Sequence, residues 1–229
     1  MLPISLIGFG IGISHLIHVA APSKRIAITF DDGPYGTSTA RILNVLEKEK
    51  VPATFFLIGK NVELHPDQVR REVADGDVIG NHSYSHSRLL PVMASSTLRD
   101  DISHAQSVIV QATSLQPRLS RVPHLFRPPY SSTSPNMIRE ITNEGYAFAG
   151  WNIDPRDWDN GNSSSTVVAN VLEHVKPDGI IIMHDGHEVG TDYSRENTIE
   201  ALPVIIESLK RQGYQFVTID KMLGVKPYK

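Results

Sequence analysis

Ile26-Ala-Ile-Thr-Phe-Asp-Asp-Gly-Pro34 is an apolar run that delivers two adjacent carboxylates onto a Gly-Pro turn. A short apolar run closed by a turn signal reads as a buried strand, so Asp31 and Asp32 fall at a strand end. Further along stands His82-Ser-Tyr-Ser-His86. Two imidazoles and one carboxylate can complete a metal site while the second carboxylate stays free as a base. The combination points to a metal-dependent hydrolase. Taken alone, Asp31 and Asp32 could equally cap the turn before Gly33.

Around this run, apolar segments alternate with helix-period segments. Strands are predicted at Arg25–Phe30, Ala53–Ile58, Asp77–Gly80, Ala147–Trp151, Gly179–Met183 and Gln215–Thr218. Helices are predicted at about Thr39–Lys50, Pro66–Asp75, Thr97–Thr113, Pro135–Asn143, Thr166–His174 and Arg195–Gln212. Such alternation is the signature of a mainly parallel sheet or barrel covered by helices. Ser134 as N-cap and Pro135 at the first helical position mark the clearest helix start, and Gly145 marks its stop. Leu115–Pro129 is proline-rich and aperiodic, and reads as a loop.

The 229 residues, 40% of them hydrophobic, suffice for one large domain. A net charge of -3 offers no basic surface for nucleic acid. With no cysteine, disulfides and thiolate ligands are excluded, so a metal must use His, Asp or Glu. Residues 1–21 carry no Lys, Arg, Asp or Glu. Residues 1–23 therefore read as a signal-like or membrane-anchor segment and 24–229 as the catalytic domain. Against that reading, a basic n-region is missing and His15 and His18 interrupt the apolar run; a buried first segment of the fold is the alternative.

His82 and His86 are four apart, so on a helical turn both rings would face the same way. The residue after His82 is Ser83, so no base is built into the motif, and Asp31-Asp32 supplies a candidate. Arg127-Pro-Pro-Tyr130 could hold a buried carboxylate ionised through its guanidinium, or could be a rigid structural loop. Asp154-Pro-Arg-Asp157-Trp158 offers two carboxylates and an aromatic face, though alone it is no better than a capped turn. Ile180-Ile-Ile-Met-His184-Asp185 ends an apolar strand with an imidazole suited to a general acid, although a lone strand-end His is more often structural.

Jointly, Thr29-Phe-Asp-Asp-Gly33, His82-Ser-Tyr-Ser-His86, Arg127-Pro-Pro-Tyr130, Asp154-Pro-Arg-Asp157-Trp158 and Ile182-Met-His184 match the five ordered motifs of one family. The chain resembles the polysaccharide deacetylases, the NodB-homology group also called carbohydrate esterase family four, from about Arg25 to Leu223. The fifth motif departs only in Ile182, where Leu is usual. The resemblance implies an α/β fold, a distorted (β/α) barrel with fewer than eight regular repeats. It implies that Asp31 is the general base and that Asp32, His82 and His86 bind the metal. Arg127 would orient Asp31, the Tyr130 N–H would serve the oxyanion site, and Asp157 would tune His184, the general acid. Tyr130, Trp158 and Ile182 would contact substrate, Ile182 in the apolar wall beside the acetyl pocket.

Tyr35 and Tyr193 are weaker stacking candidates, and Trp151, at a strand end, is expected in the core. A His/His/Asp set suits zinc, and such ligands also accept cobalt, manganese or nickel. The expected partner is an N-acetylated polysaccharide or oligosaccharide, chitin-like or peptidoglycan, met by a monomer outside the cytoplasm, secreted or anchored at the envelope. Nucleic acid is not expected. The alternatives are an O-acetyl xylan esterase with the same machinery and a non-catalytic carbohydrate-binding relative.

Overall fold

The computed structural model describes residues 24–114, 122–188, 190–191 and 194–229. The N-terminal segment 1–23 and Tyr193 lie outside the described residues. Strands β1 (Arg25–Asp31), β2 (Thr54–Leu57), β3 (Val78–Asn81), β4 (Leu125–Phe126), β5 (Ala147–Phe148), β6 (Gly179–His184) and β7 (Gln215–Phe216) form one sheet. Its order is β5-β4-β3-β2-β1-β6, with β7 beside the start of β1, and every pairing is parallel. Past β5 the chain curls round until Ile153 bridges Ile181 of β6, which nearly closes a barrel. This is the distorted (β/α) barrel that the family resemblance implies.

Alternation along β1 divides its side chains between two environments, because successive strand residues point to opposite faces. Ile26, Ile28 and Phe30 join the main core with residues of α1 (Gly36–Glu49) and α7 (Glu196–Arg211). Thr29 and Asp31 take the other face, where both meet Arg127. Register then aligns the strand ends: Asp31 pairs with His184, and Asn81 with Phe126, so the residues that follow these strands emerge on one rim. Loops on such a rim commonly carry the chemistry of barrel proteins.

The other helices are α2 (Gly59–Leu64), α3 (Pro66–Asp75), α4 (Ser95–Ser114), α5 (Pro135–Asn143), α6 (Ser164–His174) and α8 (Ile219–Leu223). The Ser134 hydroxyl accepts from Met137 N at 3.2 Å at the start of α5, and Gly145 follows its end with φ 81°. Three elements escape the sequence reading. β4 lies inside the segment read as a loop, because two residues before Arg127-Pro-Pro carry no periodicity. α2 and α8 are one to two turns long and merge with the strands that precede them. The strand predicted to reach Trp151 stops at Phe148, since the Ala149 and Gly150 carbonyls turn aside to accept from Arg127.

Gly80 in β3 is fixed by close approach: a Cβ there would overlap the Phe56 ring. Gly80→Ala is expected to cost about 1–3 kcal/mol of stability, the usual range for overpacking. Urea unfolding measures this, and an unchanged midpoint would count against the packing described here.

Candidate active site

Asp31 and Asp32 are sequence neighbours with different surroundings. Asp31 ends β1 and accepts from Arg127 Nη1 at 2.7 Å. The guanidinium is fully buried, and its other donors reach Thr29 Oγ1 at 2.8 Å, the Ala149 carbonyl at 3.0 Å and the Gly150 carbonyl at 3.2 Å. It also lies 4.0 Å from the Phe56 ring centre and 5.2 Å from that of Trp151. Burial pushes Arg127 below its ordinary pKa, and the charge of Asp31 opposes that push. Such a pair is sound only where the remaining hydrogen-bonding capacity is used, and here each guanidinium nitrogen donates at least once.

Asp32 leaves the strand with φ 73°, a left-handed conformation that Asp tolerates better than most residues. Its Oδ1 sits 3.4 Å from His82 Nε2 and 3.1 Å from His86 Nε2, yet it is aligned with neither for a hydrogen bond. Burial opposes ionisation of Asp32, but the two imidazoles hold it well below the ordinary carboxylate range. The segment from His82 to His86 is a turn, not the helical turn anticipated from the spacing. Ser83 and His86 both have positive φ, and the Asn81 side chain accepts from Ser83 N at 2.8 Å. The turn bends the chain back so that the ring centres lie 5.0 Å apart.

Ligand atoms of Asp32, His82 and His86 all lie within 4.8 Å of one another, a grouping that could hold a metal ion. The residues fit one. Each Nδ1 is engaged outward, His82 with the Arg127 carbonyl at 2.7 Å and His86 with Glu188 Oε1 at 3.1 Å, while both Nε2 atoms face the unpartnered Asp32 oxygen. An orphaned buried oxygen between two inward nitrogens is an electrostatic site for a cation.

Opposite stands His184, at the end of β6. Its Nδ1 meets Asp157 Oδ1 at 2.9 Å, and Asp157 Oδ2 accepts from His184 N and Thr198 Oγ1, both at 2.7 Å. The buried carboxylate thus fixes the ring with Nε2 toward the cleft, a space of about 410 Å³ between the two halves of the site. Tyr130, Trp158 and Ile182 line it, as do Trp151, Asp154, Ser131 and Arg88. Trp151 is therefore a cleft residue, half-buried, and not the core residue its strand-end position suggested. Tyr35 packs on His187, with ring centres 3.7 Å apart.

Residues 18–149 match the family model described as polysaccharide deacetylase. The peptidoglycan-N-acetylglucosamine deacetylase of Bacillus cereus is 36% identical over 205 residues, covering 89% of this chain and 90% of that one. The chain belongs to the polysaccharide deacetylase family.

Solved structures agree. A peptidoglycan N-acetylglucosamine deacetylase in complex with 4-naphthalen-1-yl-N-oxidanyl-benzamide superposes with a TM-score of 0.81 at 31% identity, over 90% of this chain and 91% of that one. A family 4 acetyl xylan esterase from Clostridium thermocellum, in complex with cobalt, gives 0.77 at 33% identity over 90% and 94%. Within this polysaccharide deacetylase, sequence reasoning missed Arg88, Ser131, Trp151 and Glu188 as residues at the site. Arg88 and Glu188 each lie within four residues of a motif histidine, the one signal that could have flagged them.

His184 is pushed up to about 9: burial works against the imidazolium, and the charge and hydrogen bond of Asp157 outweigh it. Since that value exceeds the ordinary ~6.5, the pair stabilises the fold fully below that pH and loses this contribution as pH rises through about 9. In metal-free protein followed by NMR, Asp157→Asn should lower the His184 titration toward the ordinary range. An unchanged midpoint would show that Asp157 does not set it.

Proposed function

We propose that this polysaccharide deacetylase hydrolyses the N-acetyl group of N-acetylglucosamine units in a polysaccharide, with Asp31 as general base and His184 as general acid. The observation that carries the reading is that β1–β6 register sets Asp31 opposite His184, beside the grouping of Asp32, His82 and His86. A divalent ion held by those three residues would supply a Lewis acid for the acetyl carbonyl and lower the pKa of a water. Asp31 Oδ1 is committed to Arg127, and Oδ2 is left to take the proton of the attacking water.

Tyr130 supports the oxyanion role. The turn it occupies is closed by Ser131 N and Ser132 N, so its own N–H is not used there, and its φ of 55° turns the peptide away from regular helix. A fixed backbone donor is well suited to charge that develops on a carbonyl oxygen. His184, its Nδ1–H held by Asp157, presents Nε2 to the departing nitrogen. An amine anion is a very poor leaving group, so the acid matters more for an amide than for an ester. Trp158, about half exposed, and Tyr130 offer faces for sugar rings, and the buried Ile182 side chain offers an apolar wall for the acetyl methyl.

Zinc is the proposed ion, because two imidazoles and a carboxylate with open positions suit it, and cobalt is the second choice on the same chemistry. The similarity to a cobalt-bound acetyl xylan esterase also supports a second substrate reading, O-acetyl groups on xylan. Action outside the cytoplasm fits the peptidoglycan relative and the proposed export or anchor role of residues 1–23. Among the described residues no helix is long and apolar enough to cross a membrane.

Acetate release from N-acetylglucosamine oligomers, peptidoglycan and acetylated xylan tests the reading, with chelator-stripped and zinc- or cobalt-reloaded protein. Release from the N-acetyl substrates that requires metal is the expected result; release from xylan alone would move the assignment to the ester. His184→Ala should lower kcat on the amide by roughly 10²–10⁴-fold, the usual share of a general acid, and on an acetyl ester by much less. Equal losses on both would remove His184 from the leaving-group step.

A further inference from the structure

We propose that Glu188 is a positioning residue for the metal centre: its carboxylate holds His86 in the tautomer that turns the Nε2 lone pair toward Asp32 and His82. The proposal rests on the metal reading above. A neutral imidazole has one N–H and one lone pair, and the partner of one nitrogen decides which is which. An ionised carboxylate can only accept, so Glu188 Oε1, 3.1 Å from His86 Nδ1, selects the Nδ1–H form. Nε2, 3.1 Å from Asp32 Oδ1, is then the nitrogen whose lone pair a bound metal ion would use. The two histidines differ in this respect. His82 Nδ1 faces a neutral acceptor, the Arg127 carbonyl, whereas His86 faces a charged one that raises its basicity as a ligand.

The backbone that carries Glu188 is anchored to the same centre. Thr191 donates to the Glu188 carbonyl from Oγ1 at 2.7 Å and from N at 3.1 Å. Asn61, buried, uses one amide nitrogen to bridge the Asp32 carbonyl at 2.7 Å and the His187 carbonyl at 2.9 Å. Gly186 lies so close to the Asp32 carbonyl that a Cβ would overlap it. Asp32 and Glu188 are therefore set relative to each other through short, rigid links, and His86 is held between them. The Glu188 side chain itself is 44% exposed, so its removal leaves no cavity in the core.

The experiment is a chelator-competition measurement of zinc and cobalt Kd on the full chain, with Glu188→Ala, Glu188→Gln and wild type, beside melting of the metal-free proteins. Glu188→Ala should weaken binding by about 10–100-fold, the usual effect of losing such an outer carboxylate. Glu188→Gln keeps an acceptor and should recover part of the loss, with the metal-free melting temperatures unchanged. An unchanged Kd in Glu188→Ala overturns the proposal. So does a weaker Kd that Gln does not rescue and that comes with a lower metal-free melting temperature, since that is a structural effect. A wild type that binds neither ion overturns the metal reading itself, which separates the two failures.

Discussion

A guanidinium with no exposed surface is the constraint around which this site is built. Moving a charge of that kind out of water costs several kcal/mol, and the interior returns it only through complete pairing. Arg127 meets that demand with Asp31, a threonine hydroxyl, two main-chain carbonyls and two aromatic faces, drawn from β1, β2 and the chain that follows β5. Each partner must arrive at a fixed place, so the early end of β5, the twist of the carbonyls at Ala149 and Gly150 and the polar face of β1 are parts of one arrangement. The Arg127 carbonyl also holds His82 Nδ1. One residue thereby orients the proposed base with its side chain and a proposed metal ligand with its backbone.

Two neighbouring carboxylates can then have separate duties. Strand alternation and a left-handed turn at Asp32 send the two side chains to different partners, a guanidinium for one and two imidazoles for the other. The three histidines follow a matching plan. Each has Nδ1 tied to an acceptor that differs in kind: a carbonyl for His82, a half-exposed carboxylate for His86 and a buried carboxylate for His184. In every case Nε2 is the atom left for chemistry. Burial works against the His184 imidazolium, yet the buried Asp157 pushes the ring up to about 9, which suits the acid proposed for a departing amine.

Much of this was legible in the sequence because the site residues sit at the ends of strongly patterned strands. β1 and β6 are apolar runs closed by Asp31-Asp32 and His184, so pattern and chemistry coincide there. The Ser134-Pro135 start of α5 was legible for a local reason, a hydroxyl cap before a fixed φ. β4 was not, since its two residues are defined by pairing with β3 and β5 and by nothing in their own pattern. The His82–His86 spacing named two rings that the fold does bring together, but through a different geometry, because a turn with two positive φ values leaves no periodic trace. Trp151 looked like core because a strand was expected to run through it, and the demand of Arg127 for carbonyls ended that strand early. Glu188 carries no pattern at all, and only the path of the loop after β6 brings it to His86.

The proposed division of labour between Asp31 and Asp32 has a direct consequence for metal binding. Metal content after dialysis, measured by mass spectrometry on Asp31→Asn and Asp32→Asn prepared from zinc-loaded protein, tests it most directly. Asp31→Asn is expected to keep its zinc and Asp32→Asn to lose it. Zinc retained in Asp32→Asn and lost from Asp31→Asn would contradict the assignment of both residues.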